Sequence, residues 1–176
     1  MPTNLEIKAR TASLHAADEI AVRIGARYEY AMVQTDTYFD ARSGRLKLRE
    51  VDGERFELIG YSRGEETERR VSDYTVLRLN AAEPVRSILG GALGIRGVVT
   101  KRRKLYRYRS TRIHLDDVGA LGAFIEFETE VSGSLEEAGE ELNSLIRLFR
   151  LDEGDFLKVS YIDLLLAELE SERHPR

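Results

Sequence analysis

The chain has 176 residues, 42% of them hydrophobic and 33% charged, with a formal net charge of −4. That length suits a single domain over residues 1–176, the acid excess argues against non-specific nucleic-acid binding, and no apolar run reaches the roughly 20 residues of a membrane span. Cysteine is absent, which excludes disulfides and thiolate metal sites; residues 1–10 lack the apolar stretch of a secretory signal, so cytoplasmic residence is expected.

Residues 4–10 alternate strictly between polar (Asn4, Glu6, Lys8, Arg10) and apolar (Leu5, Ile7, Ala9), which predicts a strand with two chemically different faces. Ser13 then caps a helix whose apolar face is Leu14, Ala17, Ala21 and Ile24, with Gly25 at its end. Alternation returns at residues 45–49, where Leu46 and Leu48 separate Arg45, Lys47 and Arg49. Residues 56–63 and 74–79 are β-rich, and the polar run 63–69 between them reads as an exposed loop. Pro84 suits the first turn of a second helix with Val85, Ile88, Leu89 and Ala92 on one side. The glycines at 90, 91, 94 and 97 end that helix and enter a strand, so they read as turn residues rather than a phosphate loop. Three β-rich stretches follow at 98–108, 112–116 and 124–131. Ser134 with Glu137 forms a capping-box pattern ahead of Leu135, Ala138, Leu142, Leu145, Ile146 and Phe149. Tyr161, Leu164, Leu165 and Leu169 mark a further helix. The order predicts an α+β fold, an antiparallel sheet with helices on its apolar face.

The charges on these strands are sorted by face. Arg45, Lys47 and Arg49 share one face; Glu126, Glu128 and Glu130 share another. A single charged strand face is ordinarily just solvated, but like charges at adjacent positions of one face repel and call for a partner. If the sheet curls with its polar side inward, as a closed barrel with helices outside, the basic and acidic faces meet. The basic run 101–104 splits on a strand, Lys101 and Arg103 to one side, Arg102 and Lys104 to the other. His15, His114 and His174 have no metal-ligand spacing, and His114 reads as a structural or lumen hydrogen-bonding residue rather than a zinc ligand. There is no nucleophile elbow.

Together these segments resemble the CYTH, or triphosphate tunnel metalloenzyme, superfamily, which includes class IV adenylyl cyclases, thiamine triphosphatases and inorganic triphosphatases. Asn4 to Lys8 resembles the family's ExExK signature, with Asn4 in place of the first glutamate. Gln34 to Asp40 resembles the segment before the family's second strand. Leu46 to Glu50 resembles the basic strand that follows it. Val99 to Arg103 resembles the KxR strand, Leu115-Asp116 and Gly122 to Glu128 the late acidic strand, and Ser160 to Leu165 the closing helix.

The resemblance implies an eight-stranded antiparallel barrel whose lumen binds a triphosphate-bearing small molecule together with Mg²⁺ or Mn²⁺. The expected phosphate cradle is Lys8, Arg49, Arg63, Lys101 and Arg103, with Lys47 and Arg10 as further candidates. Glu6, Glu126 and Glu128 are expected to hold the metal through oxygen, with Asp116 supporting a second metal or orienting a basic residue. Glu6, Lys8, Arg49, Lys101 and Arg103 would carry the chemistry. Attack by water would make the chain a phosphohydrolase; attack by the ribose 3′-hydroxyl of ATP would make it a cyclase; a nucleotide- or polyphosphate-binding module without catalysis is the third reading. No nucleic-acid or membrane partner is expected, and the chain is expected to be a monomer or homodimer.

Overall fold

The structure, a computed structural model, describes residues 4–63 and 70–173; the side chains of residues 62, 63 and 70–73 lie outside that description. The described residues form β1 (Asn4–Arg10), α1 (Leu14–Arg23), β2 (Arg27–Phe39), β3 (Arg45–Val51), β4 (Arg55–Arg63), β5 (Arg70–Leu79), α2 (Glu83–Leu93), β6 (Ile95–Tyr108), β7 (Thr111–Asp117), β8 (Ala123–Glu130), α3 (Leu135–Leu148) and α4 (Tyr161–Arg173). The eight strands close into a barrel in the order β1-β5-β4-β3-β2-β6-β7-β8, with β8 returning to β1 and every pair antiparallel. The expected α+β barrel is the fold. Of the polar run expected as a loop, residues 64–69 lie outside the described residues, as does His174.

Alternation decides which way each strand faces. Leu5 and Ile7 point out of the barrel into a core with Ala17, Ala21, Leu142, Leu145 and Phe149 of α1, α3 and the residue after α3. Leu46 and Leu48 point out beneath Ala82, Val85 and Leu89 at α2. Each large apolar side chain buried this way contributes roughly 1.5–3 kcal/mol relative to exposure, so the helices hold the barrel by its outer surface. The helix caps are as the sequence indicated: Ser13 accepts from the Ala16 N–H, and Ser134 and Glu137 form a reciprocal capping box. Four expected apolar-face residues face outward instead: Ile88, Ala92, Leu135 and Leu169. Ile88 of α2 is 69% exposed and Leu169 of α4 is 44% exposed, because Val85, Leu89, Leu164 and Leu165 already fill the contacts those helices make.

One strand escaped the sequence reading. Gln34 to Phe39, expected to precede a strand, lies inside the thirteen-residue β2, which pairs with β3 on one side and β6 on the other. On β2 the lumen positions Gln34 and Asp36 alternate with Thr35 and Thr37, so both faces are polar there and the period-two contrast vanishes. A register shift between Tyr28 and Tyr30 breaks the pattern again.

α4 lies across one end of the barrel. Its Tyr161 and Ile162 pack with Tyr38, Val99 and Phe124, which follow Asp36, Lys101 and Glu126 along the inward faces of β2, β6 and β8. Arg45 at the start of β3 donates to Ser160 Oγ at 2.8 Å and to both Asp163 oxygens at 2.8 and 3.0 Å, pinning the start of the helix. Gly97 permits the close approach: a Cβ there would lie 2.5 Å from Ile162 Cδ1. No helix among the described residues is long and apolar enough to cross a membrane.

Candidate functional site

Two Lys-x-Arg couples face the lumen from the strands on either side of β2. On β3, Lys47 Nζ donates to Asp36 Oδ2 at 2.8 Å, and Arg49 donates to Oδ1 and Oδ2 at 2.9 and 3.1 Å. Gln34 Nε2 completes the shell of Asp36 at 3.1 Å. On β6, Lys101 Nζ donates to Asp116 Oδ2 at 3.1 Å, and Arg103 donates to Oδ1 and Oδ2 at 2.6 and 2.7 Å. The Tyr161 hydroxyl reaches the same Asp116 oxygen at 2.9 Å. Each buried aspartate thus relieves the repulsion between two cations two residues apart and fixes their direction. The run 101–104 splits as a strand requires, with Lys101 and Arg103 buried and Arg102 and Lys104 exposed.

Burial alone would raise Asp36 and Asp116; the cations around them reverse this and hold both carboxyls well below the usual range, Arg49 and Lys47 acting on Asp36, Arg103 and Lys101 on Asp116. The lysines move the other way. Burial first, and the neighbouring arginine second, push Lys47 and Lys101 down to about 8. Both remain cations at neutral pH, in a low-dielectric setting where an anion is strongly favoured.

The acidic wall is formed by β1, β8 and β7 in register. Lys8, Glu126 and His114 make one row across these strands, and Glu6, Glu128 and Arg112 the next. Lys8 Nζ lies 3.3 Å from Glu126 Oε1, and Arg103 Nη2 donates to Glu126 Oε2 at 2.6 Å. Arg112 donates to Glu128 Oε2 at 2.7 and 3.0 Å. The ring of Tyr161 lies under both Lys8 and Lys101, 4.2 and 4.9 Å from their ammonium nitrogens. His114 Nδ1 is buried with no hydrogen-bond partner among the described residues, 3.5 Å from Glu126 Oε2 and 3.8 Å from Glu128 Oε1.

The structure therefore brings Lys8, Lys47, Arg49, Lys101, Arg103, Glu126 and Glu128 to one lumen, with Glu6 opposite Glu128 in the ladder. It does not bring Arg10 there: Arg10 is exposed, donates to the Leu121 carbonyl at 3.0 Å and stacks on Phe124. Arg63 ends β4, and its side chain lies outside the description. Asp116 has its oxygens engaged by Lys101, Arg103 and Tyr161, the arrangement of a residue that orients cations. The basic face of β3 is also neutralised differently from expectation. Lys47 and Arg49 pair with Asp36 on adjacent β2 and Arg45 with Asp163 of α4; the β8 carboxylates pair with Lys8, Arg103 and Arg112 instead.

The family model of the CYTH domain matches residues 3–161. The chain belongs to the CYTH domain family. A protein of Methanocaldococcus jannaschii, provisionally named an adenylate cyclase, is 23% identical over 171 residues, covering 91% of this CYTH chain and 97% of that protein. Among solved structures, the PH1012 protein of Pyrococcus horikoshii superposes with a TM-score of 0.83 at 21% identity, over 92% of this chain and 98% of that one. A Hippeastrum protein, provisionally an adenylyl cyclase and described as having dominant triphosphatase activity, superposes with a TM-score of 0.70 at 13% identity, over 96% of each chain. The CYTH family is metal-dependent in general, and the residues here fit a divalent ion: His114, Glu126 and Glu128 each offer one ligand atom, all within 4.8 Å of one another.

Asp36, Tyr161 and Arg112 were absent from the sequence-derived site. Asp36 acts through the register of β2 on β3, and Arg112 through that of β7 on β8. Tyr161 read as one apolar position of a helix. A buried Lys-x-Arg couple itself demands an acid on the neighbouring strand, and that was the available signal for Asp36.

Proposed function

We propose that the chain is a divalent-metal-dependent phosphohydrolase acting on tripolyphosphate or on nucleoside or other organic triphosphates. One observation carries the reading: two Lys-x-Arg couples, each aimed by a buried aspartate, enter one lumen from both sides of β2. Lys8 adds a cation from β1, which stands opposite β2 in the strand order. A phosphate chain has oxygens on all sides, and a cradle built from three walls matches it.

Without ligand these cations are satisfied by carboxylates. With a metal-bound triphosphate in the lumen, Lys8, Lys47, Arg49, Lys101 and Arg103 donate to phosphate oxygens, while Asp36 and Asp116 keep the couples aligned. Glu6, Glu126 and Glu128 would hold the ion. When bound, a divalent ion would supply positive charge that offsets the charge developing during phosphoryl transfer. Water supplies the attacking oxygen, so no nucleophilic side chain is required. The bond to the terminal phosphorus breaks, and orthophosphate leaves. The triphosphatase activity described for the Hippeastrum protein supports this choice.

Cyclisation of ATP is the second reading, favoured by the provisional name of the M. jannaschii relative. The purified protein, incubated with ATP or tripolyphosphate and either Mg²⁺ or Mn²⁺, separates the two. Orthophosphate supports hydrolysis; pyrophosphate with cyclic AMP replaces it by the cyclase; binding without products leaves a non-catalytic module.

A further inference from the structure

His114 is the one lumen-facing histidine among the described residues, and neither the phosphate cradle nor the carboxylate pairs described above use it. It lies on β7 directly opposite Glu126 and diagonal to Glu128. Its side chain is 5% exposed, and Nδ1 is a buried polar atom without a hydrogen bond. Burying such an atom unpaired carries a desolvation penalty, so its position asks for a reason. The two nearest acceptors stand at 3.5 and 3.8 Å, Glu126 Oε2 and Glu128 Oε1. Those separations are too long for good hydrogen bonds. They do suit donors that share one ion: two ligand atoms each about 2.1 Å from a metal lie no more than about 4.2 Å apart.

The other charges around this point are accounted for. Lys8 and Arg103 touch Glu126, and Arg112 touches Glu128 through Oε2. The Glu128 oxygen nearer to His114 is Oε1. Glu6 stands opposite Glu128 in the β1–β8 ladder.

We propose that His114 Nδ1 is a ligand to the ion held by Glu126 and Glu128, making a site of one nitrogen and two carboxylates that favours a transition ion such as Mn²⁺ over Mg²⁺. Imidazole nitrogen suits first-row transition ions, whereas Mg²⁺ is served by oxygen alone. The inference rests on the metal-dependent reading above and adds the identity of a ligand and the ion preference that follows from it.

The test uses the full chain stripped with a chelator and loaded with Mn²⁺ alone. Pulsed electron paramagnetic resonance reports directly whether nitrogen is bound to manganese, and calorimetry gives the Mn²⁺ and Mg²⁺ affinities. Wild-type protein should show nitrogen coupling that disappears in His114→Gln. The preference for Mn²⁺ over Mg²⁺ should drop by about tenfold or more in that variant, the scale on which perturbing a metal's ligand set weakens binding. An oxygen-only spectrum of the wild type overturns the proposal, whether or not the variant folds. So does coupling that persists in His114→Gln, since it would then come from His15 or His174. Oxygen-only binding in a protein that cleaves triphosphate removes the inference and leaves the functional reading standing. Nitrogen coupling in a protein that cleaves none does the reverse.

Discussion

Lys47 and Lys101 set the pH behaviour of the lumen. Both are pushed down to about 8, by burial and then by Arg49 and Arg103. A triphosphate requires them charged, so affinity should hold up to about pH 8 and then fall by roughly tenfold per pH unit for each lysine involved. Arginine keeps its charge through this range, so Lys47→Arg and Lys101→Arg should flatten the profile even if they alter affinity at neutral pH. Calorimetry with tripolyphosphate from pH 7 to 9.5 measures it; an unchanged slope in both variants would mean that other groups titrate. The stability of the ligand-free protein runs in the opposite sense. The folded values lie below the ordinary 10.5, so the unfolded chain holds more protons between about 8 and 10.5 and stability rises with pH there. Asp36 and Asp116 govern the acid side. Their folded values are depressed, so their contribution is present above about pH 4 and is lost as pH falls below it.

The carboxylates and the cations should also separate by substitution. Glu126→Gln and Glu128→Gln keep size but delete a charge a divalent ion needs; they should remove much of the metal dependence of turnover while metal-free phosphate binding survives. Lys101→Ala and Arg103→Ala should weaken triphosphate binding with or without metal, by about 1.5–3 kcal/mol for a charge-assisted contact. Metal titrations and triphosphate affinities of the four variants, side by side, decide this. If the glutamine and alanine variants behave alike, the proposed division of labour is wrong.

At the scale of elements, α4 is the part of the fold most tightly tied to the site. Tyr161 holds Asp116 and lies under Lys8 and Lys101, and Arg45 anchors the start of the helix. Gly97→Ala would set a methyl group 2.5 Å from Ile162 Cδ1. Overpacking of this kind costs about 1–3 kcal/mol. Ile162→Val removes that Cδ1, so the double variant should recover much of the loss despite the usual cost of about 0.5–1.5 kcal/mol for the valine. Denaturant unfolding of the two single variants and the double variant tests the contact; strict additivity would show that α4 does not press on β6 there.

The strands legible in the sequence were those whose two faces differ in chemistry. β1 and β3 alternate leucine or isoleucine with charge, because one face meets helices and the other the lumen. β2 did not announce itself, since threonines on its outer face alternate with Gln34 and Asp36 on the inner. Most of the cations could be placed from face sorting and family resemblance together. What holds them was legible only in part: Asp116 was expected to support a metal or orient a basic residue, whereas Asp36 was not placed at the site. Asp36 meets Lys47 and Arg49, and Asp116 meets Lys101, Arg103 and Tyr161, through strand register and the docking of a distant helix. Neither is written in local pattern.

At the scale of the molecule, the barrel segregates its surfaces. The apolar faces of β1 and β3 lie under helices, and their ionic faces lie inside, where like charges are separated by opposite ones. A groove also lies outside, between α1 and β6, where Arg102 and Lys104 stand among Asp18, Asp52 and Asp117. The most direct test of the central claim is a crystal structure of the protein with a non-hydrolysable triphosphate analogue and Mn²⁺. The account predicts phosphate oxygens in the lumen, between the Lys47–Arg49 and Lys101–Arg103 couples, with the ion on Glu126 and Glu128. An analogue seated in the outer groove, or in the lumen without contact to either couple, would contradict it.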